Sequence, residues 1–299
     1  MIRLENTSGG AVSAAITAER HRMGSPATGM VLTLLILADE ESQADATAAA
    51  VATARQHPMR IITLIPRPDA RHTQLDAEIS VGGDDGPGEV AVLRLRGELS
   101  EYANSVAVPL LLPDTPVVAY WPGNAPENPS DSKIGRHAQR RITDSANVRD
   151  PLAALAIRKS GYVPGDTDLA WARLTQWRSV LAASFDQPSS PVHHVTVEGE
   201  SDNPSVVLLG AWLGQSFGCS VDTVWSDKVG IRSVRLDMDD NPLTITRNDD
   251  DKTVTVIRPG RADAHLTLPR RSVSALLAED LRRLDPDDMY GQVITNLEI

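Results

Sequence analysis

Cysteine is almost missing from the 299 residues: Cys219 stands alone, so neither an intrachain disulfide nor a cysteine-rich zinc site can form. Aromatics are scarce at 4%, with two Phe against five Trp, so the places where Trp falls carry information. Positive charge is short as well. A net charge of −11 argues against a nucleic-acid or anionic-membrane partner, since both need clustered Lys and Arg. No apolar run approaches the roughly 20 residues of a membrane-spanning helix. MVLTLLILA (30–38) and VPLLLPDTPVVAYWPG (108–123) are too short. The opening MIRLENTSGG lacks the basic start and apolar core of a signal peptide. A soluble, cytoplasmic protein is the expectation.

Catalytic signatures are also wanting. There is no G-x-x-x-x-G-K-[ST] phosphate loop and no G-x-G-x-x-G after the first long strand. There Glu40-Glu41 would repel a pyrophosphate. His193 and His194 are neighbours in a predicted strand and point to opposite faces, so they do not share a metal. The acidic turn Asp237, Asp239, Asp240 and Asn241 lacks the glycine and distal glutamate of a calcium loop. Neither a cofactor nor a metal is expected.

What is present reads as α/β. The continuous apolar run 29–39 predicts a strand buried on both faces, the Ala-rich 40–58 a helix, and RIITLIP (60–66) a second, parallel strand. Residues 75–99 predict a hairpin around a Gly- and Asp-rich turn. TPVVAYWP predicts a strand, SKIGRHAQR a helix, RITDSA a short strand and PLAALAIRK a helix. A layered, mostly parallel α/β domain over 1–160 follows. A smaller α+β domain over 161–299 begins with an amphipathic helix, 168–186. It continues in short alternating strands that predict an antiparallel sheet, and closes in helix.

Trp171, Leu174, Trp177, Leu181 and Phe185 form one stripe of that helix, with Arg178 close to it. Pro109, Pro113 and Pro116 split the 108–123 stretch into a helix end and a strand. Tyr120 and Trp121 then fall at the strand's C-terminal end, the edge where α/β sheets bind ligands. Arg136, His137, Arg140 and Arg141 form a local basic cluster.

Three stretches carry a resemblance: VPLLLPDTPVVAYWPG, the RRITDSA that follows it, and DTDLAWARLTQWRSVLAASFD. With LILADEESQADATAAAVATARQHPMRIITLI and VVLLGAWLGQSFGCSV, they resemble the actinobacterial glucose-6-phosphate dehydrogenase assembly proteins, the OpcA family, over most of the chain. The departures are mild: Tyr120 and Gln176 stand where the family has Trp and Pro. The dithiol control credited to cyanobacterial relatives does not carry over to a chain whose only cysteine is Cys219. The resemblance implies a non-catalytic accessory subunit that assembles or activates glucose-6-phosphate dehydrogenase. On it, Tyr120, Trp121, Trp171, Trp177 and Arg178 are the candidate partner contacts. The rival expectation is an enzyme or sensor whose N-terminal α/β domain binds a sugar phosphate or nucleotide through Arg136 and Arg140, near Tyr120.

Overall fold

The computed structural model describes residues 1–23, 29–82, 88–184, 190–239 and 241–299. Contacts divide the chain into two units. One comprises Met1–Asp144, Val163–Thr167 and Val273–Pro286; the other comprises Ser145–Tyr162, Asp168–Ser272 and Asp287–Ile299.

The chain begins β1 (Ile2–Leu4), α1 (Gly9–Met23), β2 (Leu32–Leu37), α2 (Gln43–Ala54), β3 (Met59–Arg67), β4 (Gln74–Val81) and β5 (Glu89–Arg96). It continues α3 (Ala103–Ala107), β6 (Val117–Trp121), β7 (Arg140–Thr143), α4 (Pro151–Ser160) and β8 (Asp166–Asp168). The strands form one sheet in the order β1-β4-β5-β3-β2-β6-β7-β8. β5, β3, β2, β6 and β7 are parallel. Counted along the chain, those five stand in the order 3-2-1-4-5, that of a doubly wound, dinucleotide-binding sheet. Its order reverses between β2 and β6. The expected hairpin is β4 and β5, paired antiparallel from Gln74↔Arg96 to Val81↔Glu89. Its turn, 83–87, lies outside the described residues.

β2 and β6 are buried almost throughout, as strands covered on both faces should be. The helix expected over SKIGRHAQR is not formed; isolated turns at Pro129–Asp131 and Gly135–His137 stand there. The Ser132 hydroxyl donates to the Pro129 carbonyl at 2.7 Å and accepts from the Gly135 N–H at 2.9 Å, drawing the chain back on itself. A Cβ on Gly135 would lie 1.8 Å from the Pro129 carbonyl oxygen, so only glycine permits that approach.

The chain goes on through α5 (Leu169–Ala172), α6 (Thr175–Ala183), β9 (Val192–Glu200), α7 (Pro204–Phe217), β10 (Ser220–Ser226), β11 (Ile231–Met238), β12 (Leu243–Arg247), β13 (Thr253–Ile257) and β14 (Ala264–Thr267). It closes with α8 (Val273–Asp280) and α9 (Asp288–Thr295). The helix expected over 168–186 is two helices, because the Leu174 N–H donates to the Trp171 carbonyl and tightens the turn between them. α7 is closed at both ends by its sequence: Asn203 caps the Ser205 N–H at 2.9 Å, Pro204 opens the first turn and Gly218 ends it left-handed at φ 64.

The second sheet runs β10-β9-β11-β12-β13-β14 and is mixed. β9 and β10 pair in parallel because α7 crosses over between them; the remaining pairs are antiparallel, as the alternation predicts. Where the sequence changes texture near 160, the contacts place α4 with the second unit, and 163–167 and 273–286 with the first.

α8 packs on α2: the Thr53 hydroxyl donates to the Ser274 carbonyl at 3.0 Å. Beneath it, Arg140 on β7 pairs with Asp280 at 2.6 Å, both more than nine-tenths buried. Asp280→Ala would leave that guanidinium buried without its counter-charge. The expected loss is about 3–5 kcal/mol, read from urea unfolding. Joint replacement of both partners by Met and Leu should cost far less.

Candidate functional site

The order reversal between β2 and β6 is where a doubly wound sheet receives a ligand, and there the first turn must offer amides to a phosphate. This chain puts carboxylates there. Asp39 Oδ1 accepts from the Ser42 N–H at 2.8 Å and from the Ser42 hydroxyl at 2.6 Å, which holds Asp39 below the usual carboxylate range. The amide end of α2 is thus served by the chain's own anion. Glu40 lies between two arginines, 2.5 Å from Arg67 Nη2 and 3.2 Å from Arg94 Nε. Partial burial opposes its ionisation, but the hydrogen bonds from Arg67 and Arg94 outweigh it and keep Glu40 below its ordinary value.

On the other side of the reversal, Tyr120 and Trp121 are buried, at 1% and 3% exposure. Trp121 packs with Leu35, Ile62, Leu110, Ile134 and Ala138. Both belong to the interior of the first unit. The basic cluster does not converge either. Arg136 is exposed, while Arg140 is committed to Asp280 and to the Asp285 carbonyl at 3.0 Å. Arg141 is buried, pairs with Asp166 and donates to the Ala138 and Pro164 carbonyls.

In the second unit, Trp171 and Trp177 are 2% and 4% exposed and pack with Leu174 and Leu181 against the sheet. Phe185 lies outside the described residues. Trp171 Nε1 donates to the Asp287 carboxylate at 2.8 Å, and the same carboxylate caps α9 by accepting from the Tyr290 N–H at 3.0 Å. The Tyr290 ring lies 5.8 Å from Trp171, centroid to centroid. Arg178, on α6, reaches back across the tight turn to Trp171 on α5. Its guanidinium carbon stands 3.9 Å from the Trp171 ring centroid, and Nη2 donates to the Thr175 hydroxyl at 3.2 Å. Arg178 is a half-buried lid on a tryptophan. Charge reversal there would disturb packing as well as any partner contact.

His193 meets Asp239 at 2.6 Å, while His194 meets Asp222 at 3.2 Å and the Ser220 hydroxyl at 2.9 Å. Among the described residues no group of three metal-ligating side chains comes together. Asp240 lies outside them. Among them, too, no helix is long and apolar enough to cross a membrane. GQSFG (214–218) has the G-x-S-x-G spelling of a nucleophile elbow, but it forms the last turn and left-handed end of α7 and not a strand-to-helix turn. The Cys219 thiol is pushed up by burial, the reverse of an activated nucleophile. The Arg67 and Arg94 clamp on Glu40 and the Trp171–Asp287 bond leave no signal in the sequence, since each joins residues more than twenty positions apart.

Two family descriptions match along the chain, and both name a subunit of glucose-6-phosphate dehydrogenase. The description of its N-terminal domain matches residues 50–160, and that of its C-terminal domain matches 164–294. The chain belongs to the OpcA family. A Synechococcus elongatus protein whose name assigns it to OpcA and the OxPP cycle is 27% identical over 183 residues. The match spans 55% of this chain and 41% of that protein, well under its full length. Among solved structures, a 3-ketoreductase from Actinomadura kijaniata is similar at 9% identity, with 89% and 94% of the two chains covered and a TM-score of 0.48. An aldose-aldose oxidoreductase from Caulobacter crescentus is similar at 11%, with 88% and 94% covered and a TM-score of 0.49. No chemistry is carried over from either.

Asp287→Ala removes the cap of α9 and the acceptor of the Trp171 N–H together. The expected cost is about 2 kcal/mol. Chemical unfolding followed by tryptophan fluorescence measures it, and Asp288→Ala beside it should change little.

Proposed function

We propose that this chain is a non-catalytic accessory subunit that assembles or activates glucose-6-phosphate dehydrogenase by binding it through a protein surface. The observation that carries this reading is the acidic turn Asp39-Glu40-Glu41 at the order reversal of the first sheet. A dinucleotide there would bring its pyrophosphate against two side-chain anions, one already on the helix amides and one already held by arginines. In a water-excluded crevice that repulsion grows, so the electrostatics of the turn oppose binding of NADP. Family membership supplies the partner, through descriptions that name the dehydrogenase.

The rival reading, a sugar-phosphate or nucleotide sensor in the first unit, needed Arg136 and Arg140 to converge near Tyr120. With Arg140 bound to Asp280 and Tyr120 buried, it draws little support from the geometry.

The chain alone, given glucose 6-phosphate and NADP, should form no NADPH and show no thermal shift with either compound. Added to the dehydrogenase from the same cell, it should change that enzyme's turnover or its sedimentation. A saturable thermal shift of several degrees with NADP, in the chain by itself, would overturn the reading in favour of the sensor. Failure to bind or affect the dehydrogenase at micromolar concentration would end it outright.

A further inference from the structure

An accessory subunit must offer its partner a surface, and four of the five candidate contacts suggested by sequence are interior. Trp121, Trp171 and Trp177 are buried and Trp212 is half-buried on α7. Trp225 is the tryptophan that faces solvent, 46% exposed, and Val224, the preceding residue of the same strand and so on its opposite face, is 48% exposed. β10 thus leaves a large apolar side chain in water on each of its faces, which costs free energy unless something covers them.

Trp225 and Val224 stand on β10, which pairs with β9 on one side and ends the sheet on the other. Its outer edge therefore presents main-chain N–H and C=O groups to which no described strand pairs. The other sheet edges are guarded by brevity: β1 and β8 have three residues each and β14 has four. β14 also has Arg261 before it and Pro269, Arg270 and Arg271 after it. β10 has seven residues and carries neither proline nor lysine. Its one charge, Asp222, is taken by His194. A sheet edge longer than the others, without proline or lysine, invites another strand.

We infer that β10 is the docking edge for the dehydrogenase: an extended segment of that enzyme pairs with the outer main chain of Ser220–Ser226 and packs apolar side chains on Trp225 on one face of the sheet and on Val224 on the other. Main-chain pairing would supply affinity and alternate side chains specificity, with Trp225 as the anchor. The inference rests on the accessory-subunit reading. A second copy of this chain fits the edge less well. Each copy carries a net charge of −11. Antiparallel self-pairing centred on Thr223 would also place the two Asp222 side chains diagonally across from each other.

The test uses the full chain and the purified dehydrogenase. Hydrogen exchange of the 220–226 amides should slow on complex formation. Trp225→Lys, a change at an exposed site, should leave the thermal midpoint unchanged, weaken binding at least tenfold by sedimentation, and abolish the protection. If wild-type protein binds but 220–226 gains no protection, or Trp225→Lys binds undiminished, the edge is not the interface and the accessory reading stands. If wild-type protein does not bind at all, both fall. If wild-type protein alone is a dimer that Trp225→Lys dissociates, a second copy covers the edge and the proposal is overturned.

Discussion

The first unit turns on one electrostatic arrangement: carboxylates stand at the strand-order reversal, where a dinucleotide fold places glycines. Asp39 satisfies the amides of α2 and Glu40 draws in Arg67 from the end of β3 and Arg94 from β5. These pairs are partly exposed and contribute little to stability one by one. Their consequence lies in sign and place. The positive end of α2 and the nearby guanidinium groups, which would otherwise attract a phosphate, are neutralised from within the chain. The sheet keeps the strand order of a doubly wound fold, while the side chains at its reversal carry charge of the sign a phosphate carries.

The second unit shows the same economy with aromatic groups. Asp287 stands just before α9, and its carboxylate both caps that helix and holds the Trp171 indole. Arg178 then closes over the ring from the adjacent helix. Trp177 meets a second guanidinium, Arg247, at 5.4 Å from its ring centroid, and Arg247 donates to the Leu268 carbonyl at 2.6 Å. Tryptophan is used here to join helices to the sheet, and arginine to finish the contact.

Much of the architecture was legible in the residues. The run 29–39 and the stretch TPVVAYWP are apolar without alternation, and both are strands covered on two sides. The alternating segments after 192 are half-solvated strands, and the β4–β5 hairpin lies where its turn residues put it. What failed depended on contacts distant in sequence. SKIGRHAQR has helical composition, yet Gly135 is held against the Pro129 carbonyl by Ser132. α8 has the pattern of any amphipathic helix; that it lies on α2 shows only in contacts such as Thr53 to Ser274, 221 positions apart. Trp171, Leu174, Trp177 and Leu181 of the expected stripe share one core, but across two helices and not one, and periodicity does not say whether a face meets its own sheet or another protein.

That last ambiguity bears on how a chain with so few aromatics can recognise anything. Interfaces draw their energy from a small number of desolvated Trp, Tyr and Arg anchors. Here the interior has taken most of the tryptophans, and buried arginines such as Arg60, Arg140 and Arg141 are bound to carboxylates. Tryptophan anchors are therefore sparse on the surface. Recognition under that constraint favours the main chain, whose donors and acceptors are independent of composition. β10 is where the main chain lies open over the greatest length of sheet edge. A fold that spends its aromatics on the core retains a strand edge as its most capable binding element.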